Sequence, residues 1–141
     1  WEAWLVAHEA RLAEHFLGAA TSAVRASRDR TAVLLLEACH ERSAAVPRVE
    51  AQAAFHLGSA LKRLGRTVDA RARLDALVTT GGLAHLEAAM RAAVHFYRGD
   101  LALAAGDAGA ACDALNECLS LMPGHGRARQ RLGDARLALA A

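Results

Sequence analysis

Residues 51–80 read AQAAFHLGSALKRLGRTVDARARLDALVTT. Ala53, Ala54, Leu57, Leu61 and Leu64 return every three or four residues, so they share one face of a helix. Gly65 ends that helix, since glycine takes the left-handed conformation of a helix C-terminus without steric cost. Thr67 reads as the N-cap of a second helix over residues 68–78, and Thr79-Thr80-Gly81-Gly82 closes the unit. The stretch is therefore two short amphipathic helices hinged at a glycine.

The same order recurs on either side. Five residues beyond Ser27, Gly65 and Gly106 stand Ala32, Ala70 and Ala111; four further on come Leu36, Leu74 and Leu115; three beyond those, Cys39, Leu77 and Cys118. Seven residues before each hinge lie Ala20, Gly58 and Gly99, with Gly133 in the matching place of the last helix. Recurrence at a fixed order is the mark of a repeat architecture. The small residues let paired helices approach closely. The leucines and the apolar residues after them are expected to fill the space between successive pairs.

Outward from the centre, the spacing predicts helices over residues 1–26, 30–43, 49–64, 68–78, 83–105, 108–122 and 126–140. Asp107 reads as an N-cap, and Pro123-Gly124 and the segment Ala44-Ala45-Val46-Pro47 read as breaks. The fold class is all-α, with seven helices paired in order. Composition agrees, because apolar residues make up 54% of the chain but aromatics only 4%, and Ala and Leu favour helix over strand.

The pattern resembles the tetratricopeptide repeat. Leu57, Gly58, Leu61, Gly65, Ala70, Leu74 and Leu77 follow its motif, and Gly99, Gly106, Ala111, Leu115 and Pro123 follow it again. The first copy departs with Ala19-Ala20 and Ser27, and Arg98 replaces a leucine in the third. Repeat starts near Ala13, Ala51, Ala92 and Gly126 are 38, 41 and 34 residues apart, of which the last is the family's length. The resemblance implies a single domain, a right-handed superhelical stack of antiparallel helix pairs. Repeats would fall at about 13–47, 51–82 and 83–123, with a capping helix at 126–140 whose arginines form a polar end.

The resemblance further implies a concave groove lined by the first helix of each pair. Its positions fall on Glu14, Leu17, Thr21, Val24 and Arg25, then Gln52, Phe55, Ser59, Lys62 and Arg63. The third copy contributes Ala93, Phe96, Asp100, Leu103 and Ala104, and the cap Arg127, Gln130 and Asp134. Phe55 and Phe96 occupy equivalent places, either as anchors for an extended peptide or as core. Family members that clamp a terminal carboxylate carry Asn where this chain has Ser59 and Asp100, so that ligand class is not expected. The partner implied is a protein or peptide, held without catalysis.

A second resemblance, of residues 46–74, is to bacterial transcriptional activator domains. It implies the alternative of a regulatory or oligomerisation domain in a bacterial transcriptional regulator, with DNA read elsewhere.

Other chemistry finds little support. The formal charge of +2 exerts no strong pull on nucleic acid, although the arginines of the last helix leave a weaker reading of direct contact. His8 and His15 are seven apart, not the four of a helical zinc motif, and His85 and His95 are ten apart. Cys39, Cys112 and Cys118 fall inside helices, where core packing accounts for them. Neither a metal nor a cofactor is expected, and the chain reads as non-enzymatic. The odd cysteine number favours a reducing compartment, hence a cytoplasmic location. No apolar run reaches the length of a membrane span. The chain begins at Trp1 and is read as a domain excised from a longer protein, and Trp1, Trp4 and Leu5 form either an N-terminal cap or a homodimer surface.

Overall fold

The computed structural model describes residues 1–43 and 46–141, so the Ala44-Ala45 part of the expected break lies outside the described residues. The chain forms α1 (Glu2–Arg25), α2 (Asp29–Arg42), α3 (Pro47–Arg63), α4 (Thr67–Thr79), α5 (Ala88–Ala104), α6 (Ala108–Leu121) and α7 (Gly126–Ala140). A 3-10 turn, Gly82–His85, follows α4, and no strand occurs among the described residues. The helices form two compact units, Trp1–Leu86 and Glu87–Ala141. Within the first, α1 packs on α2, α2 on α3, and α3 on α4; within the second, α5 packs on α6, and α6 on α7.

One hinge is used three times. The residues between α1 and α2, α3 and α4, and α5 and α6 each include one at positive φ: Ser27 at 57°, Gly65 at 78° and Gly106 at 81°. Around each, the chain makes the same two closing bonds. The N–H groups of Ser27, Gly65 and Gly106 donate to Val24, Lys62 and Leu103 at 3.0–3.1 Å. Those of Arg28, Arg66 and Asp107 donate to Ala23, Leu61 and Ala102 at 2.8–2.9 Å. This pairing satisfies the carbonyls that a helix end leaves open. The residue that makes the second bond is also the N-cap of the next helix. For that reason Thr67, expected as a cap, is instead the first residue of α4, while Arg66 holds the cap position. Asp107 does cap α6, its carboxylate accepting from the Ala110 N–H at 3.3 Å.

The recurring columns meet inside the helix pairs. Ala32, Ala70, Ala111, Leu36, Leu74, Leu115, Cys39, Leu77, Cys118 and Ala20 are all buried. The sequence reading set the leucines between successive pairs; Leu74 and Leu115 instead lie directly on Gly58 and Gly99 within a pair. A Cβ built on Gly58 would stand 2.6 Å from Leu74 Cδ2, and one on Gly99 2.6 Å from Leu115 Cγ. The same atom on Gly133 would meet nothing within 4 Å, because no helix lies over that side of α7.

The expected helix over residues 83–105 is divided. Gly81 turns left-handed at φ 77°, the 3-10 turn follows, and Leu86 is extended at φ −106° and ψ 149°. Leu86 is buried, so its side chain is seated at the cost of helical continuity, and α5 starts afresh at Ala88. At the other break, Pro47 opens α3 rather than only closing the preceding unit. The first turn of a helix tolerates a residue without an N–H.

These contacts predict opposite signs for one substitution in one column. Gly58→Ala and Gly99→Ala lower unfolding free energy by about 1–3 kcal/mol through overpacking. Gly133→Ala raises it by about 0.5–1 kcal/mol, the helix propensity alone. Ser27→Gly gains about 0.5–1 kcal/mol, the relief of the left-handed Cβ penalty less the greater chain entropy that glycine loses. Urea unfolding of the four variants checks the set; equal signs at the three glycines would contradict the packing.

Candidate functional site

In the first unit the residues expected to line a groove lie on α1 and α3, which touch. Much of its polar chemistry is internally engaged. Arg48 donates to Glu14 at 2.6 Å and to Gln52 at 3.4 Å. Arg63 donates from Nη1 to Ser59 Oγ at 2.7 Å and from Nε to Asp29 Oδ1 at 2.9 Å, tying α3 to the start of α2. Ser59 is buried and Leu17 also belongs to the core. Phe55 and Lys62 are half-buried on the same side of α3, one helical turn to either side of Ser59. They form an aromatic ring and an ammonium framed by a fixed polar strip.

In the second unit the equivalent aromatic differs. Phe96 is only 4% exposed. The guanidinium of Arg127 stands 5.3 Å from its ring centroid, and the His125 ring lies at 4.9 Å. A cation over an aromatic face is attracted by the ring quadrupole, so Arg127 is a lid on Phe96. His125 also caps α7, its Nδ1 accepting from the Ala128 N–H at 3.1 Å. That cap had no signal in the spacing, because histidine is an uncommon cap residue. Asp100 pairs with Arg131 at 3.0 Å, and Arg131 approaches Asp134 at 3.8 Å. Gln130 is exposed. Arg129 donates to the carbonyl of Pro123 at 2.6 Å, bracing the turn before α7.

His95, Cys39 and Cys118 are buried, and His56 is half-buried. His95 is 6% exposed, and Arg98 Nη1 lies 3.2 Å from its Nδ1. A guanidinium only donates, so Nδ1 is the acceptor there and the ring is neutral in that contact. Burial and then the Arg98 charge push the His95 pKa down, with Glu117 opposing. His56 is lowered by burial and then by Arg63. Cys39 donates to the Ala13 carbonyl at 3.3 Å. Burial, then the Glu14 charge, raises its pKa, and burial raises that of Cys118. Thiols held protonated are poor nucleophiles and poor ligands. No group of three metal-ligating side chains gathers among the described residues, and no helix is long and apolar enough to cross a membrane.

The first two turns of α1 are bare. Trp1 is 88% and Trp4 55% exposed, and Trp4 stacks on Trp1 and on His8 at centroid distances of 5.7 and 5.2 Å. Trp1, Trp4 and Leu5 thus do not cap the first repeat by burial. A further feature, a cleft lined by His40, Glu50 and Arg73, drew no signal at all from the sequence. It gathers the ends of separate elements, which no single periodicity marks.

The sequence matches no family model and has no significant match among curated proteins.

Lowered histidine pKa values have a defined consequence. Unfolded chains bind a proton near pH 6.5 that the folded His95 and His56 resist. Stability is therefore full above that pH and falls as the pH drops through it. Thermal unfolding between pH 7.5 and 5.5 (roughly one unit either side of the unperturbed value) should show this fall, with a shallower slope in His95→Gln. An unchanged slope in that variant would show that His95 does not carry it.

Proposed function

We propose that the chain is a non-enzymatic helical-repeat scaffold of the tetratricopeptide kind, a right-handed superhelical stack that holds a peptide or partner helix from another protein. The observation that supports this most is the hinge repeated at Ser27, Gly65 and Gly106 with the same closing hydrogen bonds. Tandem helix pairs joined this way bury only their shared faces and leave an extended surface for recognition. On α3 that surface offers the half-buried ring of Phe55 and, two helical turns further along the same side, the half-buried Lys62, an apolar anchor and a cation. Such a pair suits an extended segment that carries an apolar side chain followed by an acidic one, with the Arg63–Ser59–Asp29 links holding the backbone of the site in place.

Peptides selected from a random display library against the whole chain provide the test. Binding to the enriched sequences should weaken about tenfold or more, or 1.4 kcal/mol, in Phe55→Ala. It should be unchanged in Val68→Ser, whose side chain is exposed on α4. Enriched peptides indifferent to Phe55 would place recognition elsewhere and reject this surface.

A further inference from the structure

The first unit contains a cleft of about 340 Å³ whose lining does not include Phe55, within the ~300–1,000 Å³ range of small-molecule sites. Pro47, Ala51 and Ala54 of α3 and Leu77 of α4 give it an apolar wall. Its polar groups come from three directions: His40 from the end of α2, Glu50 from α3 and Arg73 from α4. Gly81, and Gly82 and His85 of the 3-10 turn, complete the lining.

Three features of these groups point to a ligand. Arg73 is half-buried yet forms no ion pair or hydrogen bond among the described residues, unlike Arg48, Arg63, Arg66 and Arg131. Glu50 is likewise half-buried and forms no ion pair or hydrogen bond among the described residues. The two charges are thus held on the walls of one cleft without neutralising each other. Third, the Nδ1 of His40 is buried without a hydrogen-bond partner. An unsatisfied buried nitrogen costs about 1–3 kcal/mol. His40 lines the cleft, so a ligand there is within its neighbourhood.

We infer that the cleft binds a free α-amino acid with an apolar side chain. Its carboxylate would lie against Arg73, whose planar fork matches a carboxylate, and its ammonium against Glu50. The side chain would lie along Pro47, Ala54 and Leu77, with His40 supplying one further hydrogen bond. A fatty acid would leave Glu50 facing a like charge. A simple amine would leave Arg73 unmatched.

The test is a titration of the whole chain followed by amide NMR, reading Ala54, Gly81 and Gly82. The probes are L-leucine, N-acetyl-L-leucine, which lacks the ammonium, and L-leucinamide, which lacks the carboxylate. L-leucine should give saturable shifts at those amides, and both analogues should bind at least about tenfold more weakly. Arg73→Gln and Glu50→Gln should each weaken L-leucine by about the same factor. Neither side chain has a partner among the described residues, and the unmoved remainder of each spectrum reports that folding is retained. Absence of saturable shifts with L-leucine up to tens of millimolar would overturn the inference. So would an analogue that binds as well as L-leucine, as a peptide terminus would, or variants that bind as the parent does.

Discussion

A leucine resting on a glycine is the contact on which the helix pairs depend. Leu74 on Gly58 and Leu115 on Gly99 leave no room for a further carbon without a shift of the leucine, so these two pairs are set at a spacing that favours glycine. Close spacing is what lets a chain with so few aromatics build a core. With Ala and Leu as the main apolar residues, each side chain buries little surface, and packing density must come from short interhelical distances. Ala32, Ala70 and Ala111, all fully buried, keep the second helix equally slim. The first pair manages with Ala20 in place of glycine.

Hinge geometry follows from that spacing. A left-handed residue returns the chain within three positions, and the bond from Arg28, Arg66 or Asp107 back across the hinge locks the turn. Glycine does this freely, whereas Ser27 does it against a steric penalty of about 1–2 kcal/mol. The conformation at Ser27 is thus imposed by the packing of α1 on α2 rather than chosen by the local residue.

Local periodicity made the seven helices and the three hinges legible, because both are properties of short stretches. The recurring columns were legible for a related reason: each repeat solves the same packing problem with the same order of small and large residues. Three things were not. The 3-10 turn at Gly82–His85 interrupts a run, Leu83 to Leu103, whose spacing is helical throughout, and only the burial of Leu86 separates it. Phe55 and Phe96 read as equivalent, yet Phe96 is buried against Arg127 and His125 while Phe55 is half-buried. The link from Arg63 to Asp29 spans 34 residues, and the cleft beneath His40 and Arg73 joins the ends of several elements. Contacts of that range have no periodic signature.

The expected groove residues consequently divide by what they already hold. Ser59 and Arg63 brace α3 against α2, and Asp100 is bound to Arg131. Phe55 and Lys62 are half-buried on one side of α3. All of this rests on the leucine–glycine contact, which a double-mutant cycle at Gly99 and Leu115 tests most directly. If the contact is as tight as described, Leu115→Ala opens the space that Gly99→Ala fills. The double variant is then more stable than the sum of the singles by about 1 kcal/mol or more. Strict additivity would mean that the two residues do not meet, and would contradict the account.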